Sequence, residues 1–84
     1  MYSIDFLNYL WNNDKVLCCS YLFDLIIPIF SKNKITKNDY DFILNILHLC
    51  DLIYEQNKNN EIAINLKKDT LLYYQLLFNK TIDR

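Results

Sequence analysis

Not one of the 84 residues of this chain is glycine. Glycine reaches positive φ without steric cost, and two-residue β-hairpins depend on residues that do so. A chain lacking it is poorly equipped for hairpins and is pushed toward helices joined by polar connections. Asparagine is the next residue able to enter the left-handed region. There are 11 asparagines, several clustered between apolar segments, so they are expected at the turns. The same absence excludes chemistry. The phosphate-binding P-loop, the dinucleotide-binding fingerprint, the nucleophile elbow of serine hydrolases and the EF-hand calcium loop each need glycine at a fixed position.

The chain is 52% hydrophobic and 15% aromatic, which suits one folded domain over residues 1–84 and not a disordered segment. A domain this small hides only about 60% of the surface its unfolded chain exposes. Large apolar side chains, or a second chain, must complete its core. Ile, Asn, Lys, Tyr, Phe and Leu dominate while Ala, Val and Arg are scarce. That profile fits an AT-rich coding sequence of the kind found in viruses, phages and low-GC bacteria.

Helical periodicity runs through the sequence. Residues 3–11 predict a first helix, with Ser3 as N-cap and Phe6, Leu7, Leu10 and Trp11 along one face. Residues 14–27 predict a second, apolar except at Lys15, Ser20 and Asp24, and so buried on most sides. Pro28 should end or kink it, with Ile29 and Phe30 as one further turn. The third helix, residues 36–56, has the clearest signature. Thr36 stands at N-cap with Asp39 at N3, a capping-box spacing, and Ile35 and Tyr40 match a hydrophobic staple. At about 30 Å this helix should be the central rod. Residues 61–68 fit a short helix, although Ile62, Ile64 and Leu66 also alternate like a strand. Residues 69–79 predict a last helix capped by Asp69 and apolar nearly all round, and residues 80–84 a frayed tail. The expected fold is an all-α bundle of four to five helices, with self-association as one way of completing it.

Few residues suggest catalysis or metal binding. The three cysteines, Cys18, Cys19 and Cys50, are an odd number without a CxxC pair and sit in apolar runs. They read as small buried hydrophobes in a reducing, cytoplasmic setting. His48 is the one histidine, so Cys and His alone cannot close a four-ligand zinc site. Asp51 lies at i+3 from His48 and can accept from it; Asp51, Glu55 and His48 would make a weak cation site at best. Cys50 projects from another face of the same helix than His48, which is poor geometry for a Cys–His dyad. No catalytic residue, cofactor or metal is therefore expected.

Net charge is −1. Lys32, Lys34 and Lys37 are followed by Asp39 and Asp41, and Lys67 and Lys68 by Asp69, so no basic footprint for nucleic acid stands out. The N-terminus lacks the basic region of a signal peptide. The longest apolar stretch, residues 16–30, contains Ser20, Asp24 and Pro28 and falls short of the roughly 20 residues a membrane span needs. The aromatics Tyr2, Tyr9, Trp11, Tyr73, Tyr74 and Phe78 gather toward the two ends of the chain. Each is an ordinary core candidate, but Tyr and Trp are also favoured at protein interfaces. The reading with most support is a non-enzymatic protein-interaction module, a small regulator or inhibitor from a virus, phage or mobile element. Its interface candidates are Trp11, Tyr73, Tyr74, Leu77 and Phe78, and a homodimer through the last helix is a specific version. The alternative is a helix-turn-helix type nucleic-acid-associated factor.

Overall fold

The computed structural model describes residues 3–82; Tyr2 and the end of the predicted tail, residues 83–84, lie outside it. Four helices are present among the described residues: α1 (Ile4–Asn13), α2 (Lys15–Phe30), α3 (Lys37–Gln56) and α4 (Glu61–Phe78). Two-residue strands β1 (Lys34–Ile35) and β2 (Thr81–Ile82) complete the order, β1 before α3 and β2 after α4. The all-α bundle expected from the periodicity is the fold observed.

Each helix starts where a short polar side chain can take up free backbone N–H groups. Ser3 Oγ accepts from the N–H of Phe6 at 3.2 Å. Asp14 is the whole junction between α1 and α2. Its carboxylate accepts from the N–H of Leu17 at 3.0 Å, and its own N–H donates to the Leu10 carbonyl at 2.9 Å. At α3 the capping box is complete: the Asp39 N–H donates to Thr36 Oγ1 at 3.0 Å, and the Thr36 N–H donates to Asp39 Oδ2 at 3.2 Å. That backbone N–H, with Lys32 alongside, holds the Asp39 carboxyl below the ordinary carboxylate value.

Asn8, Asn45 and Asn65 stand inside helices, while other asparagines sit at the turns, but not for the reason the sequence suggested. No described residue has positive φ. They act through their side chains instead. Asn60 Oδ1 accepts from the N–H groups of Ile62 and Ala63, opening α4. Asn57 Nδ2 donates to the Ile53 carbonyl at 2.7 Å and Asn13 Nδ2 to the Tyr9 carbonyl at 2.7 Å, closing α3 and α1.

Of the two outcomes expected at Pro28 the further turn holds, and two other predicted details change. Pro28 does not end α2, which continues through Ile29 to Phe30. It stands in the last turn on the exposed side, so the lost hydrogen bond frees a carbonyl where solvent can reach it. Residues 61–79 do not divide at Asp69: α4 runs through it as one helix capped by Asn60, and the strand reading of 62–66 falls with that division. Thr70, buried in the middle of α4, satisfies its hydroxyl on the Leu66 carbonyl at 2.7 Å and so costs the helix no orphaned polar group. Finally, the tail after α4 is tied down. Thr81 and Ile82 pair in parallel with Lys34 and Ile35. Lys80 Nζ donates to the Phe30 carbonyl at 2.7 Å, giving the C-terminus of α2 the cation its own last turn lacks.

The core lies around α3. Ile43, Ile46, Leu47, Leu49, Cys50 and Ile53 form its buried face, joined by Leu7 and Trp11 of α1, Leu22 and Ile26 of α2, Ile35, and Leu66 and Leu77 of α4. The broadest packing is between α3 and α4, then α1 and α2; α2 meets α3 and α4 more narrowly. The molecule measures 39 × 22 × 17 Å. That is about two helix diameters thick, so every helix keeps a side open to solvent. This geometry corrects the expectation that α2 is buried on most sides. Only Cys18, Leu22 and Ile26 are buried there, while Val16, Leu17 and Ile27 are exposed.

Candidate functional site

The five interface candidates separate into three groups. Trp11 and Leu77 belong to the core, at 2% and 1% exposure. Trp11 follows Leu7 by four residues on the buried face of α1, and Leu77 continues the buried line Ala63, Leu66, Thr70 along α4. Neither can meet a partner without unfolding. Tyr73 turns toward α2, whereas Tyr74 and Phe78 turn toward the opposite flank of α4, beside α3.

On the α3 flank the exposed positions Ile64, Leu71 and Phe78 recur every seven residues, two turns apart, and make one ridge. Tyr74 stands within it. Its ring stacks on Phe78 at 6.2 Å between centroids and lies 6.3 Å from the exposed His48. Its hydroxyl donates to Asp51 Oδ2 at 3.0 Å. Lys67 Nζ donates to the other oxygen of Asp51 at 2.8 Å and sits over the Tyr54 ring at 5.7 Å. Asp51 is therefore engaged by α4 from two sides, and the hydrogen bond expected from His48 is not made. Burial, and then this bond to a carboxylate, push the Tyr74 hydroxyl above its ordinary pKa. The result is an apolar and aromatic ridge braced through Asp51 across the α3–α4 pair.

On the other flank, α2 and α4 diverge enough to leave an open groove of about 420 Å³. Along α2 its wall is Val16, Cys19, Phe23 and Ile27; along α4 it is Ile62, Leu66, Asp69 and Tyr73. Both sets step by three or four residues, so each wall is one helical stripe. The floor closes where Tyr73 stacks on Phe23 at 4.9 Å and meets Phe30 at 5.5 Å. Asp24 and Asp69 stand on opposite walls, and among the described residues no cation pairs with either. Their field is felt by their neighbours. The Cys19 thiol is pushed up to about 11 by burial, then by Cys18 and Asp69. The Tyr73 hydroxyl is raised by burial, then by Asp69 and Asp24.

Other chemistry-bearing groups are occupied structurally. Cys18 is buried with its Sγ 3.8 Å from the Leu7 carbonyl, and burial raises its pKa. Cys50 is buried and pushed up to about 12 by the same cause. Cys19 is half-buried, against the expectation that all three would be enclosed. These thiols stay protonated near neutral pH, unlike reactive cysteines. Among the described residues no three His, Cys, Asp or Glu side chains group to hold a metal ion. No helix among them is long and apolar enough to cross a membrane. Compared with protein-family models, curated proteins and solved structures, the chain matches none.

The sequence pointed to Tyr73, Tyr74 and Phe78 as aromatics. It did not assign Leu71, Leu72, Leu76, Asp24 or Asp69 to an interface. Their signal was present as apolar positions lying off the 3.6-residue core stripe of α4, and as two carboxylates each followed by an apolar run.

Proposed function

We propose that this chain is a non-enzymatic protein-interaction module, a small regulator or inhibitor, that acts by docking the outer face of α4 onto another protein. The observation that carries this reading is that Leu71, Leu72, Leu76 and Phe78 are each half or more exposed on one capped helix. With Ile64 they are the large apolar side chains that α4 leaves outside the core, and apolar surface gathered on one element is a mark of interaction sites. Bracing by Asp51 and stacking of Tyr74 on Phe78 reduce the ordering cost of binding, as for preorganised interfaces in general. A second copy is the specific partner proposed for the ridge, since a two-fold axis across Leu71 would set Ile64 of each copy against Phe78 of the other. The origin proposed from composition is a virus, phage or mobile element, acting in the cytoplasm. The helix-turn-helix alternative gains nothing from the structure's charges: Lys32, Lys37, Lys58 and Lys67 are each paired with a carboxylate.

Size-exclusion chromatography with light scattering tests the reading. At high micromolar concentration the 10.2 kDa chain should run at twice its mass. Leu71→Glu combined with Phe78→Glu should return it to the monomer with helical circular dichroism unchanged. A native chain that stays monomeric removes the self-association version. The docking reading itself is overturned if no partner is found whose binding these two substitutions abolish.

A further inference from the structure

The groove between α2 and α4 differs from the ridge in charge, and that difference selects its occupant. Its walls are apolar stripes spanning residues 16–27 and 62–73. Each stripe is 12 residues long, about 16 Å from end to end, which is three helical turns. Two helices packed side by side leave a channel suited to a third helix, whose apolar face enters through positions spaced by three, four and seven. Leu72 and Leu76 extend the apolar wall on the solvent side of α4. The charges at the mouth are both negative, and no lysine or arginine lines the groove. A second copy is a poor occupant by the same face. A two-fold pairing sets a patch against itself, and here would bring two sets of carboxylates together without a cation, the arrangement interfaces avoid.

We propose that the α2–α4 groove receives one amphipathic helix of a partner protein, its apolar side seated between Val16, Phe23, Ile62 and Tyr73 and its lysine or arginine side chains resting on Asp24 and Asp69. The proposal deepens the docking reading by naming a second surface and the chemistry of what it takes, and it does not need the ridge to dimerise. Cys19 is the half-buried thiol on this wall, while Cys18 and Cys50 are enclosed. Its rate of alkylation therefore reports occupancy of the groove.

The test uses the full chain and two synthetic three-to-four-turn peptides with identical leucine faces, one flanked by lysines and the other by glutamates. Fluorescence anisotropy should show the lysine peptide binding about tenfold or more tightly than the glutamate peptide, since both charge terms change sign together. The lysine peptide should also slow maleimide labelling of Cys19 several-fold. Asp24→Lys with Asp69→Lys, both at exposed positions, should reverse the peptide preference. Equal binding of the two peptides would overturn the proposal, as would lysine-peptide binding that leaves Cys19 labelling unchanged. Cys19 protection that rises with protein concentration in the absence of peptide would also overturn it, by showing a second copy in the groove. Should the double variant fail to fold, the two peptides on the native chain still decide. Monomer mass in light scattering with intact peptide selectivity would refute self-association alone; dimer mass without selectivity would refute the groove proposal alone.

Discussion

α3 and α4 are nearly equal in length, 20 and 18 residues, and they pack broadly against each other, yet they use their apolar residues in opposite ways. α3 turns six of them into the centre of the molecule and shows solvent mainly polar groups, with Leu52 as the exception. α4 buries Ala63, Leu66, Thr70 and Leu77 and leaves larger side chains outside. The lesson is that apolar content sets how much surface a helix could bury, while the thickness of the bundle sets how much it does. In a molecule two helices deep, a peripheral helix with apolar residues on more than one side must carry exposed apolar surface. On α4 that surplus is organised into a ridge and one groove wall.

The sharpest way to break the comparison is to truncate equivalent side chains on the two helices. Leu47→Ala, inside α3, should cost about 2–5 kcal/mol in urea unfolding because it opens a cavity. Leu72→Ala, on the outer side of α4, should stay within about 0.5 kcal/mol. Comparable losses at both positions would mean that α4 is covered within the native molecule, and the docking reading would fail with it. A second, smaller effect sharpens the account of how α3 is started. Thr36→Ala removes one half of the capping box and should cost about 1 kcal/mol, whereas Thr36→Ser should restore most of it.

The smallest effect concerns alkaline pH. Burial raises Cys50 from its ordinary value of 9.0 to about 12, and it raises Tyr74 too. A thiol whose folded pKa is raised keeps its proton while the unfolded chain releases it. Its contribution is therefore intact below pH 9 and is lost as pH climbs from 9 toward 12. Urea midpoints should fall between pH 8.5 and pH 10.5, and Cys50→Ala should lessen the fall. A midpoint that does not move over that range would contradict the burial of Cys50.

What the sequence made legible were the local signals. The capping box at Thr36 and Asp39 involves residues three apart, and Ser3 acts on the turn that follows it. The buried phase of α3 followed from the spacing of Ile43, Ile46, Leu47, Cys50 and Ile53. Features set by distant partners were not legible. Residues 80–82 look like a tail because their partners, Phe30, Lys34 and Ile35, lie about 50 positions away and two-residue strands have no periodicity. Asp69 resembles a cap because an isolated acidic residue before an apolar run is a common helix start, yet Asn60 had already begun the helix. Trp11 and Leu77 read as interface residues from their side chains alone, whereas their phase relative to Leu7 and Leu66 fixes them inward. The groove needed two helices to be placed side by side, which neither stripe announces by itself.

The uniformly negative φ of the described backbone has a consequence for the denatured ensemble. A chain in which every residue carries a β-carbon has fewer accessible backbone states when unfolded, and replacing glycine at compatible sites is worth about 0.4–1 kcal/mol each. Since no described position in the native backbone calls for glycine, that narrowing of the random coil comes without offsetting strain. Part of what holds this small bundle together thus resides in the disorder its chain never had to lose.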